Sequence, residues 1–306
     1  MTRLYLAMIA WPKRCYMTDF FAALTNPSIP FVRNALIAAI LSAILFGVLG
    51  AIVTVRRIAG LAGAISHAVL GGIGLALYLA ATGLVPNLPP IAGAIVFAIL
   101  AAAVIGLVSL KAKQREDTVI NAIWAIGMSV GVLFMAKTPG YTDPSAYLFG
   151  NILLISTRDL VLLGILDVIV VILAWRFYYQ IEASAFDEEY AKVRGIHTNL
   201  VFFIILAIVA IAVVLLQTFV GIVMVIAMLT LPSGTAGYTA KNLAGMMIGG
   251  GVYASLFSVS GLVAGWTFDL PVGAMVVVIA GAVFIIAALI RIIKRRNSVN
   301  SREVSV

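Results

Sequence analysis

An all-α fold, a polytopic transmembrane bundle of about nine helices, is what this sequence predicts, and three observations carry it. Of the 306 residues, 63% are hydrophobic and only 10% are charged. Apolar runs of about twenty residues, the length that crosses a bilayer core, recur along the chain. The 20 Lys and Arg, which leave a net charge of +8, gather at the ends of those runs. Placed so, they report membrane topology rather than nucleic-acid binding, and no nucleic-acid partner is expected. The runs are too long for the ~10-residue strands of a membrane barrel. A single cysteine, Cys15, excludes an internal disulfide and any thiolate cluster.

Nine runs can be placed in order. The first, 32–55, ends at Arg56 and Arg57, and the second, 60–82, is rich in Gly and Ala. The Pro-rich turn 85–90 sets off the third, 90–110, and basic and acidic residues separate it from the fourth, 119–136. The Pro and Gly turn 137–144 precedes the fifth, 159–176, and the longest polar interruption follows it. The last four are 199–217, 219–238, 243–265 and 271–292. Because 199–238 is nearly continuous, one span plus a broken half-helix, giving eight, is the alternative. Residues 1–30 read as a lead-in, of which 1–16 are expected not to be translated because Met17 opens a segment suited to precede a first membrane helix. Residues 31–293 read as one membrane domain and 294–306 as a basic cytoplasmic tail.

With the first helix running inward, 14 basic residues fall on the cytoplasmic side and 6 outside. The positive-inside rule then places the N-terminus outside and the C-terminus in the cytoplasm. An eight-helix count would put the cluster from Arg291 to Arg296 outside, which favours nine.

The stretch 60–78 is the chemical centre of the sequence. Gly60, Ala64, His67, Gly71, Gly74 and Tyr78 recur at steps of three and four and share one helix face. Small residues let helix backbones approach closely in lipid, so this face packs inward and carries His67 with it. Gly127 and Gly131 form a matching small pair on the fourth run. An ionisable group in the membrane points to function, here a transit ligand for a cation; a packing histidine bonded to Ser or backbone is the equal alternative. Ser66 stands beside it. Further oxygen donors are Asp117 and Asn121, one turn apart at the start of the fourth run, Asp167 within the fifth, and Asp269 before Pro271. Asp117 reads most simply as a solvated helix-starting acid and Asp269 as a cap. For Asp167 structural pairing and a transport role are equally open.

Residues 186–195, FDEEYAKVRG, have the composition of a short amphipathic helix. Asp187, Glu188 and Glu189 lie at its start, Lys192 and Arg194 at its end, and Gly195 as its stop. Phe186, Tyr190 and Val193 make one apolar edge. The acids favour a protein partner over anionic inner-leaflet lipid.

Three segments in order, RRIAGLAGAISHAVLGGIG, AFDEEYAKVRGI and VGIVMVIAMLTLPSGTA, resemble the membrane permeases of bacterial zinc and manganese ABC importers, the ABC-3 family. The resemblance spans about residues 17–293. It implies the permease subunit of an ATP-driven importer of divalent metal ions, zinc first, with manganese or iron as the other candidates. It also implies alternating access in a homodimer in the bacterial inner membrane, a separate cytoplasmic ABC ATPase dimer, and an external metal-binding protein that delivers the ion. Zn²⁺ or Mn²⁺ is then cargo and no cofactor is permanently bound. In similar permeases the inner-loop segment seats on the ATPase, a role that carries over to Phe186, Asp187, Glu188, Ala191 and Gly195. Such permeases often have a carboxylate one turn before the histidine, where this chain has Gly63.

The chain itself is not expected to be an enzyme. No Gly-xxxx-Gly-Lys phosphate loop occurs, and neither His67 nor His197 is followed by the Glu of a zinc-protease helix. An ion-coupled secondary carrier using Asp167 and His67 is the competing function.

Overall fold

The structure, a computed structural model, describes residues 20, 24, 30–111, 116–140, 144–150, 152 and 155–303. Apart from residues 20, 24 and 30, the expected lead-in, with the start at Met17, falls outside the described residues. Among the described residues twelve helices follow in order: α1 (Pro30–Val55), α2 (Ala59–Ala81), α3 (Pro90–Lys111), α4 (Glu116–Lys137), α5 (Pro144–Phe149), α6 (Thr157–Arg176), α7 (Tyr178–Phe186), α8 (Glu188–Val193), α9 (Thr198–Val220), α10 (Ile222–Ala236), α11 (Leu243–Phe268) and α12 (Val272–Glu303). No strand occurs among the described residues.

Each of the nine apolar runs is helical, and the expected count of nine spans is met in part. Among the described residues seven helices are long and apolar enough to cross a membrane, and α6 with α7, bent by 67°, makes an eighth. The seventh run, 219–238, becomes α10, an apolar helix of only 15 residues. The cause is Gly221, whose φ of 85° breaks the chain between α9 and α10 and uses up the start of that run. The last helix, α12, runs on as far as Glu303, into the stretch 294–306 read as a basic tail.

Local chemistry sets the helix ends. Pro30, Pro90 and Pro144 open α1, α3 and α5, where a missing N–H costs nothing. A reciprocal capping box between Ser156 and Asp159 starts α6. Asn242 caps α11 by accepting from the Gly245 amide at 2.7 Å, and Asp269 ends that helix in the left-handed region, φ 53°. Asp269 is therefore a cap residue.

Two ends of the bundle can be told apart by their contacts. At one, Arg56 meets Ser184, and the Ala244 amide donates to the Tyr178 hydroxyl at 3.2 Å. At the other, the Phe31 and Trp266 rings pack 6.2 Å apart, and Gly150, Gly221 and Gly273 converge on the end of α5. We call these the elbow end and the far end. The short α10 leaves the far end and returns toward the elbow beside α1, where Gly50 lies against Leu229 and Ser233.

Candidate functional site

The most extensive contact in the bundle joins α2 to α4, and the absence of side chains allows it. A Cβ on Gly71 would sit 2.9 Å from the Gly127 carbonyl oxygen, and one on Gly127 would sit 2.5 Å from the Ala68 Cα. Gly74 meets the Gly131 backbone in the same way, and Gly60 faces Ile120. With no hydrophobic force between helices in lipid, such close backbone packing is what holds them.

His67 lies in this seam. It is 7% exposed, its ring stacks on Trp124 with centroids 4.5 Å apart and planes at 22°, and Nδ1 has no hydrogen-bond partner. Ser66 is fully buried and donates to the Ala62 carbonyl one turn back at 2.9 Å, so its hydroxyl is engaged within its own helix. At Gly63, where similar permeases often place an acid, a Cβ would meet Trp124 Cζ3 at 3.0 Å. The volume an acid would need is thus filled by indole, and the same indole covers the imidazole. Trp124 escaped the sequence reading. The signal was present, since Trp124, Gly127 and Gly131 follow at steps of three and four and so share the face that meets α2.

The oxygen donors lie elsewhere. Asp117 and Asn121 are exposed on α4. Asp167 is 4% exposed, and neither carboxylate oxygen has a hydrogen-bond partner. It shares the buried face of α6 with Leu163, Val170 and Ala174, and the main packing partner of α6 is α1 rather than α2. Among the described residues no three His, Cys, Asp or Glu come together as a metal-binding group. An apolar cavity of about 280 Å³ opens between α1, α6, α7 and α9 near the elbow. Its walls are mainly apolar, among them Leu49, Ile52, Val170 and Ile205, with Gln180 and His197 as the polar side chains.

The elbow departs from the single helix expected over 186–195. Phe186 ends α7, and Asp187 turns extended, with φ −147° and ψ 97°. The Asp187 carboxylate then caps α8 by accepting from the Tyr190 amide at 2.9 Å, and capping is the physical reason one helix becomes two. Glu188 pairs with Lys192 at 2.7 Å and accepts from Thr198 at 3.4 Å. Ala191 is fully buried and seats α8 on the bundle. The helix stops in a Schellman arrangement: the Gly195 amide donates to Lys192 and the Ile196 amide to Ala191, both at 3.0 Å, with Gly195 at φ 79°. Phe186, Tyr190 and Val193 are left exposed, Val193 by 87%.

Fold and composition together define a multi-pass, all-helical membrane protein. The chain belongs to the ABC 3 transport family, whose sequence pattern matches residues 28–291. It is 34% identical over 263 residues to a probable metal transport system membrane protein of Chlamydia muridarum, covering 86% of this chain and 89% of the relative. It is 31% identical to the manganese transport system membrane protein MntC of Listeria monocytogenes, covering 85% and 90%. Among solved structures it is similar to PsaBC from Streptococcus pneumoniae in complex with a Fab, at a TM-score of 0.77 and 29% identity, covering 89% of this chain and 95% of that one. A putative metal-chelate type ABC transporter in an inward-facing conformation shares the fold, at a TM-score of 0.65 and 12% identity.

Proposed function

We propose that this chain is the membrane permease subunit of an ATP-driven importer of divalent transition-metal ions, working by alternating access in a dimer. The observation that carries the reading is the exposed Phe186, Tyr190 and Val193 edge on a capped, ion-paired elbow, in a chain of the ABC 3 transport family. Large apolar side chains on a short, rigid projection suit a groove on a partner protein. That partner is a cytoplasmic ABC ATPase dimer, which supplies the energy this chain has no phosphate loop to supply. The elbow end is cytoplasmic, the N-terminus is outside, and α10 with the turn after it completes a ninth pass through the bacterial inner membrane. An external metal-binding protein hands the ion over at the far end.

His67 is the transit ligand of the pathway, opened when Trp124 leaves its face. Asp117 and Asn121 at the elbow end of α4 are accessory donors on the exit side, and Asp167 a donor of a separate α6 station. One neutral imidazole suits brief capture and release. Imidazole chemistry favours zinc, whereas the relatives named for manganese favour that ion, so both belong in the assay. The test is uptake of radioactive Mn²⁺ and Zn²⁺ into vesicles holding the chain with and without its co-expressed ATPase. ATP-dependent uptake that His67→Ala abolishes supports the assignment; uptake that proceeds without the ATPase makes the chain a secondary carrier.

A further inference from the structure

Two adjacent arginines in the turn between α1 and α2 count alike as topology signals, but the fold uses them differently. Arg57 is exposed at φ 58°, while Arg56 turns inward. The Arg56 guanidinium donates through Nη1 to the Ser184 hydroxyl of α7 at 3.3 Å. It also lies 5.6 Å from the centroid of the Phe202 ring of α9. Burial pulls its pKa below the usual arginine range, and the charge of Glu188 on α8 acts the other way. Glu188 in turn holds Lys192 and Thr198. One side chain thus touches or faces the three elements that carry the elbow, from a backbone position three residues before the helix of His67 begins at Ala59.

We propose that Arg56 is a positioning residue that passes movement of the elbow to α2, through its contacts with Ser184 and Phe202. A guanidinium suits the task because its planar fork hydrogen-bonds and stacks at once, which an ammonium does not. The turn is closed by its own backbone, the Arg57 amide donating to the Thr54 carbonyl at 3.2 Å and the Ile58 amide to the Val53 carbonyl at 3.0 Å, with Arg57 in the left-handed region. When α7 and α8 shift, the Arg56 backbone shifts with them, and residues 57 and 58 carry the displacement into α2. The inference rests on the reading of the elbow as the ATPase contact.

The test uses the full permease with its ATPase in vesicles, measuring ATPase co-purification, ATP hydrolysis and ATP-dependent Mn²⁺ or Zn²⁺ uptake for Arg56→Gln and Arg56→Lys. Arg56→Gln is expected to bind the ATPase and hydrolyse ATP as the wild type does, with metal moved per ATP down about tenfold, the loss expected for one charged contact. Arg56→Lys restores part of that ratio. If uptake falls only in step with ATPase binding or hydrolysis, Arg56 is a structural residue and the proposal is overturned. Should Arg56→Gln fail to fold, Ser184→Ala and Phe202→Leu carry the test, and an unchanged uptake-to-hydrolysis ratio in both overturns it. Wild-type chain that binds no ATPase would instead overturn the functional reading itself, a result visible before any variant is made.

Discussion

Placing an acid at position 63 tests how the histidine seam is built. In Gly63→Asp the new Cβ lies 3.0 Å from Trp124 Cζ3 and 3.4 Å from Cη2, with the carboxylate still to be accommodated beyond it. The indole must leave its stack on His67, and overpacking of this kind costs about 1–3 kcal/mol. Thermal unfolding in detergent, followed by fluorescence, should show the single variant destabilised by that amount. Trp124→Leu should cost stability too, by removing the ring contact. The double variant is expected to be more stable than the sum of the two losses, because the leucine vacates the space the acid needs. It would also place a carboxylate and an imidazole at i and i+4 on one helix face, a two-ligand station. Metal binding by the double variant should then tighten about tenfold, the effect of about 1.4 kcal/mol. Strictly additive losses of stability would refute the reasoning, since they would mean that positions 63 and 124 do not compete for the same volume.

Three further outcomes follow from the packing. Gly127→Ala puts a methyl 2.5 Å from the Ala68 Cα, so the α2 and α4 backbones must part, at about 1–3 kcal/mol in the same melting assay. Asp187→Ala removes the cap of α8 and should cost about 1 kcal/mol locally, read as faster hydrogen exchange over 188–195 with the rest of the chain unchanged. Val193→Asp alters a side chain that is 87% exposed, so melting should not move while co-purification of the ATPase is lost; retained co-purification would remove Val193 from the interface.

Much of this architecture was legible because lipid imposes simple rules. Runs of about twenty apolar residues had to be helices, and all nine are. The small face of 60–78 pointed to its own buried partner surface. What remained hidden depended on single residues acting across distance. Gly221 shortens a run that composition alone would make full length, because its φ of 85° is not encoded in hydropathy. Asp187 reads as one of three acids at a helix start, yet its side chain divides the expected helix in two. Ala191, carried over from the resemblance as a contact residue, is buried, because a helix of six residues resting on the bundle has an inner face as well as an outer one. Trp124 shares the face of Gly127 and Gly131, but its pairing with His67 depends on the register of two helices separated by a third, a property of the assembled bundle.

The meeting of Gly150, Gly221 and Gly273 carries a consequence for how this protein can vary. Three stretches distant along the chain touch there backbone to backbone, and a Cβ on any one of them would strike main-chain atoms of another. Gly150 and Gly221 are further bound to glycine by positive φ, 60° and 85°. No partner's side chain can shrink to make room, so a substitution at one of the three has no rescue at the others. Drift at this knot is barred one position at a time, and sequence variation must go around it.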